Sequence, residues 1–277
     1  MAILTISRQF GSGAEEIGKM VAQALGYHYI DRETILEDIK QAGSKWEEKA
    51  KYFDENYPQG YERHDWWYWG FVALNQRSIL NHALENNAVI MGRGGNFLLK
   101  GVKHHLGVRV EAPLRQRLEK IMKTYALNQE NAHFLIEKAD QEMAGAVYLI
   151  YGRRWDAPGE YDMFIDTGIR SLDEVVGDIK GVLVEKDKLN TPESKNILIL
   201  RARAATVKAA IATDPSFFLS LLTVEPKEEG LLEYGLILRA IVHTPEEIPL
   251  IKESARKIAG DLPIECEVHY QQHSRFG

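Results

Sequence analysis

"LTISRQFGSGAEEIGKMVAQALGYHYIDRE", residues 4–33, decides the fold. Ala2 to Ser7 is a short apolar, β-branched run, Gly11-Ser12-Gly13 is a turn, and Ile17, Met20, Val21, Ala24 and Leu25 recur at helical spacing. The order is strand, glycine loop, helix. Glycines so placed let backbone N–H groups converge on an anion, and the helix N-terminus adds partial positive charge. A standard phosphate loop, G-x-x-x-x-G-K-[ST], adds a lysine that neutralises phosphates and a hydroxyl that holds magnesium. Setting Gly11-Ser12-Gly13 on the G-x-G before that lysine puts Arg8 at the first glycine, Ala14 at the lysine, and Glu15 and Glu16 at the hydroxyl positions. The strict motif therefore fails. Two acids suit the helix dipole, yet they would repel a polyphosphate if turned toward it.

Working outward, the apolar runs are continuous rather than alternating. Ala88 to Met91 reads as a buried strand closed by Gly92-Arg93-Gly94-Gly95, Leu106 to Glu111 as one closed by Ala112-Pro113, and Asp162 to Asp166 as one closed by Thr167-Gly168. Arg115 to Thr124 and Ser171 to Val184 read as helices. Continuous strands separated by helices predict an α/β fold, a parallel sheet with helices on both faces and functional residues at the carboxyl ends of its strands. The polar stretch Asp187 to Lys195, with Pro192, reads as a linker, dividing the chain into 1–186, 187–195 and 196–277. Beyond it, Asn196 to Arg203 reads as a strand, Ala204 to Ala212 as a helix, and Leu219 to Glu225 and Glu233 to His243 as two strands. Pro245 to Ala259 follows as a helix and Ile264 to Tyr270 as a last strand. That is the split βαβ pattern of a small, ferredoxin-like α+β domain.

At 277 residues the chain exceeds the size at which one core stops growing, in keeping with two domains. Hydrophobic content of 45% and charged content of 27% belong to an ordinary globular protein, not to a disordered or coiled-coil chain. A net charge of -6 argues against a nucleic-acid partner, since duplex contacts need a basic face that neutralises several phosphates. The single cysteine, Cys266, excludes an internal disulfide and a cysteine metal cluster, and reads as a small buried hydrophobe. With no apolar leader and no run of eighteen apolar residues, the expectation is a cytoplasmic protein that does not insert into membranes.

Six segments stand in order: ISRQFGSGxxxIG from Ile6, YIDRE from Tyr29, FDENYP from Phe53, VIMGRGGNFLL from Val89, VRVEAPLRQR from Val108 and YDMFIDT from Tyr161. Through their order and spacing, residues 1 to 185 resemble the cytidylate kinase-like family, a branch of the P-loop nucleoside monophosphate kinases. The resemblance implies a P-loop kinase-like sheet, ATP as co-substrate with Mg²⁺, and a nucleotide as acceptor. That family often writes its loop as S-R-[EQ]-[FY]-G-S-G-G-x-x-I-G, without the lysine. Arg8 is then left to supply charge there, beside donor-phosphate contacts from Gly11, Ser12 and Gly13.

Arg93 is offered at the carboxyl edge of a buried strand, beside flexible backbone. The resemblance implies that it faces the acceptor or its phosphate, for which a guanidinium fork is suited; the plainer alternative is an arginine that ties its loop to an acid. Asn96, in the same segment, is taken with it on the acceptor side. Asp31 either orients a sugar, a base or a metal-bound water, or caps the helix Thr34 to Ala42. Arg115 and Arg117, two apart on a helix, cannot face one phosphate, and Arg117 is the acceptor-side choice. A lid arginine is expected soon after IEKAD, where the chain instead reads Asp140-Gln141-Glu142-Met143-Ala144-Gly145. Arg153 and Arg154 are its catalytic replacements, or else plain surface charges. No protein side chain is assigned to a metal, because His82, His104 and His105 lack a carboxylate or cysteine at ligand spacing; magnesium is expected to arrive on ATP. Trp66-Trp67-Tyr68-Trp69 with Phe71 could stack a base, worth roughly 1 to 3 kcal/mol. Large aromatics more often build a core or a subunit contact, here of a homo-oligomer.

TVKAAIATDPSFFLSLLTVEP from Thr206 and LILRAIVHTPEEIPLIKESARKIAGDLPIECEVHY from Leu236 resemble a BON domain, a module associated with envelope proteins and phospholipid or ligand contacts. Ala240-Ile241-Val242 stands where such modules carry a glycine. With no catalytic constellation, this half is expected to bind a ligand of unknown identity, to regulate or to dimerise. For the whole chain, the expectation is a phosphotransferase moving the γ-phosphoryl of ATP to a (deoxy)pyrimidine nucleoside monophosphate, a CMP/dCMP kinase-like enzyme. The competing reading is a non-catalytic nucleotide or anion sensor, favoured by Ala14, Glu15, Glu16 and the arginine-poor lid. A structural interaction protein built on the aromatic run comes third.

Overall fold

β1 (Ile3–Arg8) is buried from Ile3 to Ser7 and lies at the centre of a five-stranded sheet. The computed structural model describes residues 1–55, 65–217, 219–229 and 232–271. The sheet also holds β2 (His28–Ile30), β3 (Ala88–Met91), β4 (His105–Glu111) and β5 (Met163–Asp166), in the order β2-β3-β1-β4-β5. Every neighbouring pair is parallel, with Leu4 opposite Val89 and Leu106, and Val110 opposite Ile165. The expected parallel α/β sheet is thus present.

Alternation along the strands assigns the two faces. Leu4, Ile6, Val89, Met91, Val108 and Val110 share one buried cluster with Ile17 and Val21 of α1 (Ala14–Leu25) and Val175, Ile179 and Leu183 of α8 (Leu172–Asp187). Burying such side chains stabilises by about 1.5–3 kcal/mol each. Thr5 and Ile90 point the other way, against Gly95 at the start of the short helix α5 (Gly95–Leu98). Helices α6 (Leu114–Tyr125) and α7 (Gln129–Tyr151) pack on each other through Ile121, Ala132 and Ile136. Because β1 has β3 on one side and β4 on the other, the order in which strands are added reverses beside it, and a crevice opens at its carboxyl end.

Contacts divide the chain into two compact units, Met1–Ile35 with Glu85–Ser194, and Leu36–Leu84 with Lys195–Gly277. The first carries the parallel sheet. In the second, α3 (Ser44–Glu55) and α4 (Trp66–Leu84) pair through their aromatic rings; α2 (Arg32–Lys40) leads into them. Trp46 meets Trp66 and Trp67 at centroid distances of 5.6 and 4.9 Å, and Phe53 meets Tyr68 and Phe71 at 5.5 and 5.9 Å. Tyr68 and Phe71 are buried and core to this helix pair, while Trp66, Trp67 and Trp69 are half-buried. Asn56, Tyr57 and Pro58 of the FDENYP segment lie outside the described residues.

The same unit holds a second sheet, order β6-β7-β8, from β6 (Leu219–Glu229), β7 (Leu232–Val242) and β8 (Ile264–Tyr270). β6 and β7 are antiparallel, while β7 and β8 are parallel and joined through α10 (Glu247–Ala259). Before β6 the chain departs from the expected strand and linker. Asn196 to Arg203 is not a strand but part of α9 (Pro192–Ala212), and 187–195 holds the end of α8, a turn and the start of α9. Leu, Ala and Arg favour helix, Pro192 opens it, and the Thr191 hydroxyl accepts from the Ser194 N–H at 3.3 Å. Leu198, Leu200, Ala202 and Ala204 are all buried, so their period of two imitated a strand. Cys266 is half-buried on β8, where burial pushes its thiol pKa up. Among the described residues no helix is long and apolar enough to cross a membrane.

Candidate functional site

The glycine loop that follows β1 is fastened from several elements. Gln9 donates its N–H to the Val110 carbonyl at 3.0 Å, and its Oε1 accepts from the Ala112 N–H at 3.2 Å. The Phe10 N–H donates to Asp140 Oδ1 of α7 at 2.9 Å, and the Phe10 carbonyl accepts from Arg117 Nη1 of α6 at 3.3 Å. Thr167, just past β5, donates its hydroxyl to the Ser12 carbonyl at 2.9 Å. Gly13, at φ 85, then turns the chain into α1, whose first N–H groups have no helical partners. The Ser12 hydroxyl, one residue before Gly13, is buried with no protein partner.

The two acids of the first turn each stand beside a cation. Glu15 Oε1 is 3.8 Å from Arg8 Nη2, and Glu16 Oε1 accepts from Lys120 Nζ of α6 at 2.5 Å. Partial burial alone would raise the Glu16 pKa, but the Lys120 hydrogen bond and charge outweigh it and hold the carboxyl below its ordinary value.

Arg8, Arg93 and Asn96 line one narrow cleft with Ser7, Gly92 and Trp155. Gly92, Arg93 and Gly94 have φ of 69, 57 and 76, three successive left-handed residues. For Arg93 that conformation costs about 1–2 kcal/mol. It is over-determined by the Gly92 N–H, which donates to the Ile6 carbonyl at 2.8 Å, and by Tyr151, whose hydroxyl donates to the Arg93 carbonyl at 3.2 Å. Glycine adopts the φ of 69 at position 92 without strain, and a Cβ there would stand 2.3 Å from Arg8 Nη1 and push that guanidinium aside. Desolvation lowers the Arg8 pKa, with the like charge of Arg93 adding to it and Glu15 opposing it. Two guanidinium groups lining one cleft concentrate positive charge there, which is chemistry suited to an anion. Tyr29 at the same edge is pushed up to about 12, by desolvation first and then by Glu15 and Asp31.

Other expected site residues have other places. Asp31 is the cap of α2, accepting from the Thr34 N–H at 3.1 Å and the Thr34 hydroxyl at 3.0 Å. Asn96 is buried and donates to the Glu160 carbonyl at 3.4 Å. Arg117, also buried, is paired with Asp140 at 2.6 Å and with the Phe10 carbonyl, so it braces the loop and does not line the cleft of Arg8 and Arg93. Arg153 pairs with Glu160 at 3.5 Å and Arg154 with Asp156 at 2.9 Å, largely exposed and within their own segment. Among the described residues no three His, Cys, Asp or Glu side chains stand together as a metal site.

Two residues of this site were not singled out from sequence. Arg109 of β4 is buried, with Nε 2.6 Å from Glu111 Oε1 and Nη1 donating to the Trp155 carbonyl at 3.0 Å. The Trp155 indole N–H donates to Ser7 Oγ at 2.9 Å, and the Tyr161 hydroxyl donates to the Trp155 carbonyl at 2.7 Å. The signal was a cation inside the apolar run Val108-Arg109-Val110. Lys120 is the other, and one more charge on a charged helix gives no signal.

The model of the cytidylate kinase-like family matches residues 3–169. The cytidylate kinase of Pyrococcus horikoshii is 25% identical over 194 residues, covering 70% of this chain and 94% of that one. The cytidylate kinase of Pyrococcus furiosus matches with the same identity and coverage. Among solved structures, an uncharacterized protein from Eubacterium ventriosum superposes with a TM-score of 0.53 at 16% identity, over 66% of this chain and 99% of that one. That likeness concerns the fold alone.

Proposed function

The chain belongs to the cytidylate kinase-like family, and on that premise we propose that it is a nucleoside monophosphate kinase-like phosphotransferase acting with ATP on a (deoxy)pyrimidine nucleoside monophosphate. The observation that carries the reading is the convergence of Arg8 and Arg93 on one cleft, at the carboxyl ends of adjacent parallel strands and beside the glycine loop. Phosphoryl transfer needs little covalent help from a protein; it needs its reactants held in line and their charge neutralised.

The backbone of Gly11 to Gly13, with the first N–H groups of α1, holds donor phosphates. Arg93 grips the acceptor phosphate with its planar fork, and Arg8 lies between donor and acceptor. Asn96 orients the acceptor, and Asp31 fixes the entry of α2 on that side. Arg154 is released toward the phosphates when Asp156 gives it up, since an exposed pair of this kind is worth little, and Arg153 follows because Lys100 keeps Glu160 paired at 2.7 Å. Magnesium, carried on the nucleotide, supplies further charge neutralisation, and the buried Ser12 hydroxyl is the oxygen of this loop that fits beside it. Glu15 and Glu16 weigh less for a non-catalytic sensor once each stands beside a cation. The sequence order from Thr206 onward supports a BON-like module over 196–277 with a ligand of its own, and the composition supports a cytoplasmic setting.

The test is coupled ADP release from ATP and Mg²⁺ with CMP, dCMP, UMP and AMP in turn, beside an Arg93→Ala variant. Acceptor-dependent turnover with CMP or dCMP that the variant loses at subsaturating acceptor supports the reading. Absence of turnover with every acceptor at high enzyme concentration sinks it.

A further inference from the structure

Ala14 stands where a phosphate loop carries its lysine, and the structure brings an ammonium to the loop from a different element. Lys120 Nζ, reaching from α6, lies 3.9 Å from where a Cβ on Gly13 would stand. It also meets Glu16, in the first turn of α1, at 2.5 Å. Immediately before Gly13 is Ser12, whose buried hydroxyl has no protein partner. A helix N-terminus, a cation at its mouth and an orphaned buried hydroxyl thus coincide at one loop. We propose that Lys120 is the loop cation for the donor polyphosphate, doing from α6 what Ala14 cannot do from α1; this rests on the phosphotransferase reading above.

The resting partner of Lys120 is replaceable. The Lys120 and Glu16 side chains are 38% and 48% exposed, and half-exposed ion pairs contribute about 0–1 kcal/mol. A polyphosphate offers several charged oxygens at once, and charge-assisted bonds to them are about twice as strong as neutral ones. The flexible four-carbon stem of a lysine lets the ammonium pass from carboxylate to phosphate without moving α6. Arg8 is placed elsewhere, over Gly92 in the cleft it shares with Arg93. Glu15 and Glu16 therefore hold two cations at two positions, one on the cleft and one at the loop.

The experiment is calorimetric titration of the full chain with ATP and Mg²⁺, and separately with CMP, for wild type, Lys120→Met, Lys120→Arg, Glu16→Gln and the control Lys123→Met. Lys120→Met is expected to weaken ATP by about tenfold or more, the worth of one charge-assisted bond. Its CMP affinity and melting temperature stay at wild-type values, and Lys120→Arg recovers most of the ATP affinity. Glu16→Gln is expected to bind ATP as well as wild type or better, and Lys123→Met to match wild type. Unchanged ATP affinity in Lys120→Met overturns the inference while leaving the phosphotransferase reading intact. So does a loss in Glu16→Gln as large as in Lys120→Met, because the pair and not the cation would then matter. A folded wild type that binds no ATP overturns the phosphotransferase reading, and the role of Lys120 with it.

Discussion

The guanidinium carbon of Arg109 stands 4.2 Å from the centre of the Trp155 ring, and Arg109 also donates to the Trp155 carbonyl. One buried cation on β4 therefore holds both the face and the backbone of a residue in the segment between α7 and β5. Ser7 completes the attachment by accepting the indole N–H, so β1 and β4 share the anchoring. The segment so anchored carries Arg153 and Arg154, the cations proposed to close on the phosphates.

Replacing Arg109 tests that anchor. Arg109→Met leaves Glu111 without its ion pair and takes one of two donors from the Trp155 carbonyl. The expected loss is about 2–4 kcal/mol in urea unfolding, since the site is buried and the bonds are charge-assisted. Arg109→Lys keeps the charge but not the fork, and should lose about half as much. Near-wild-type stability for Arg109→Met would mean that the segment is anchored by Tyr161 and Ser7 alone.

Arg93 separates strain from function. Arg93→Gly relieves the left-handed backbone and should match or exceed wild-type stability by up to about 1 kcal/mol, whereas Arg93→Ala should not. Both should raise the acceptor KM by about tenfold or more while leaving the ATP KM within about twofold. If Arg93→Gly retained full acceptor affinity, the guanidinium would have no acceptor role and the geometry alone would explain the residue.

Buried Arg117 and half-buried Asp140 brace the glycine loop as a pair at 2.6 Å, and both also bond Phe10. Asp140→Ala should cost about 3–5 kcal/mol in urea unfolding, because it strands a buried guanidinium, and should weaken ATP through the loosened loop. Arg117→Met with Asp140→Leu together should cost less than Asp140→Ala alone. Additive losses in the double variant would refute the bracing role.

Much of the first unit was legible because burial leaves a plain record. Strands covered on both faces need largely apolar runs; Ala88 to Met91 is unbroken, and Leu106 to Val110 is interrupted by Arg109 alone. The place of Arg93 was legible too, past the carboxyl end of a buried strand among glycines. Segment 196–203 was not, because a largely buried helix places apolar residues at many spacings, including two. Lys120 was invisible for another reason. Its partner Glu16 lies 104 residues away, and only the packing of α6 near the loop brings the ammonium to Gly13. Spacing along a chain reports neighbours on one element, while a site assembled from two elements is written in the fold.

Asp162, where the chain enters β5, gives a pH prediction. Its Oδ2 accepts from the Gly107 N–H at 2.8 Å and its Oδ1 from Lys186 Nζ at 3.0 Å. Desolvation alone would raise its pKa, but these two bonds and the Lys186 charge outweigh it and hold the pKa below the ordinary value. The folded state therefore favours the ionised form more than the unfolded chain does. The resulting stability is fully present above the unfolded aspartate value of about 3.9 and is lost as pH falls through the depressed folded value. Asp162→Asn should be less stable than wild type at neutral pH, and the gap should narrow below about pH 4. The check is urea unfolding of both proteins from about pH 7 down to about pH 3. A gap that stayed constant over that range would assign the stabilisation to hydrogen bonding by the side chain in either protonation state, and not to its charge.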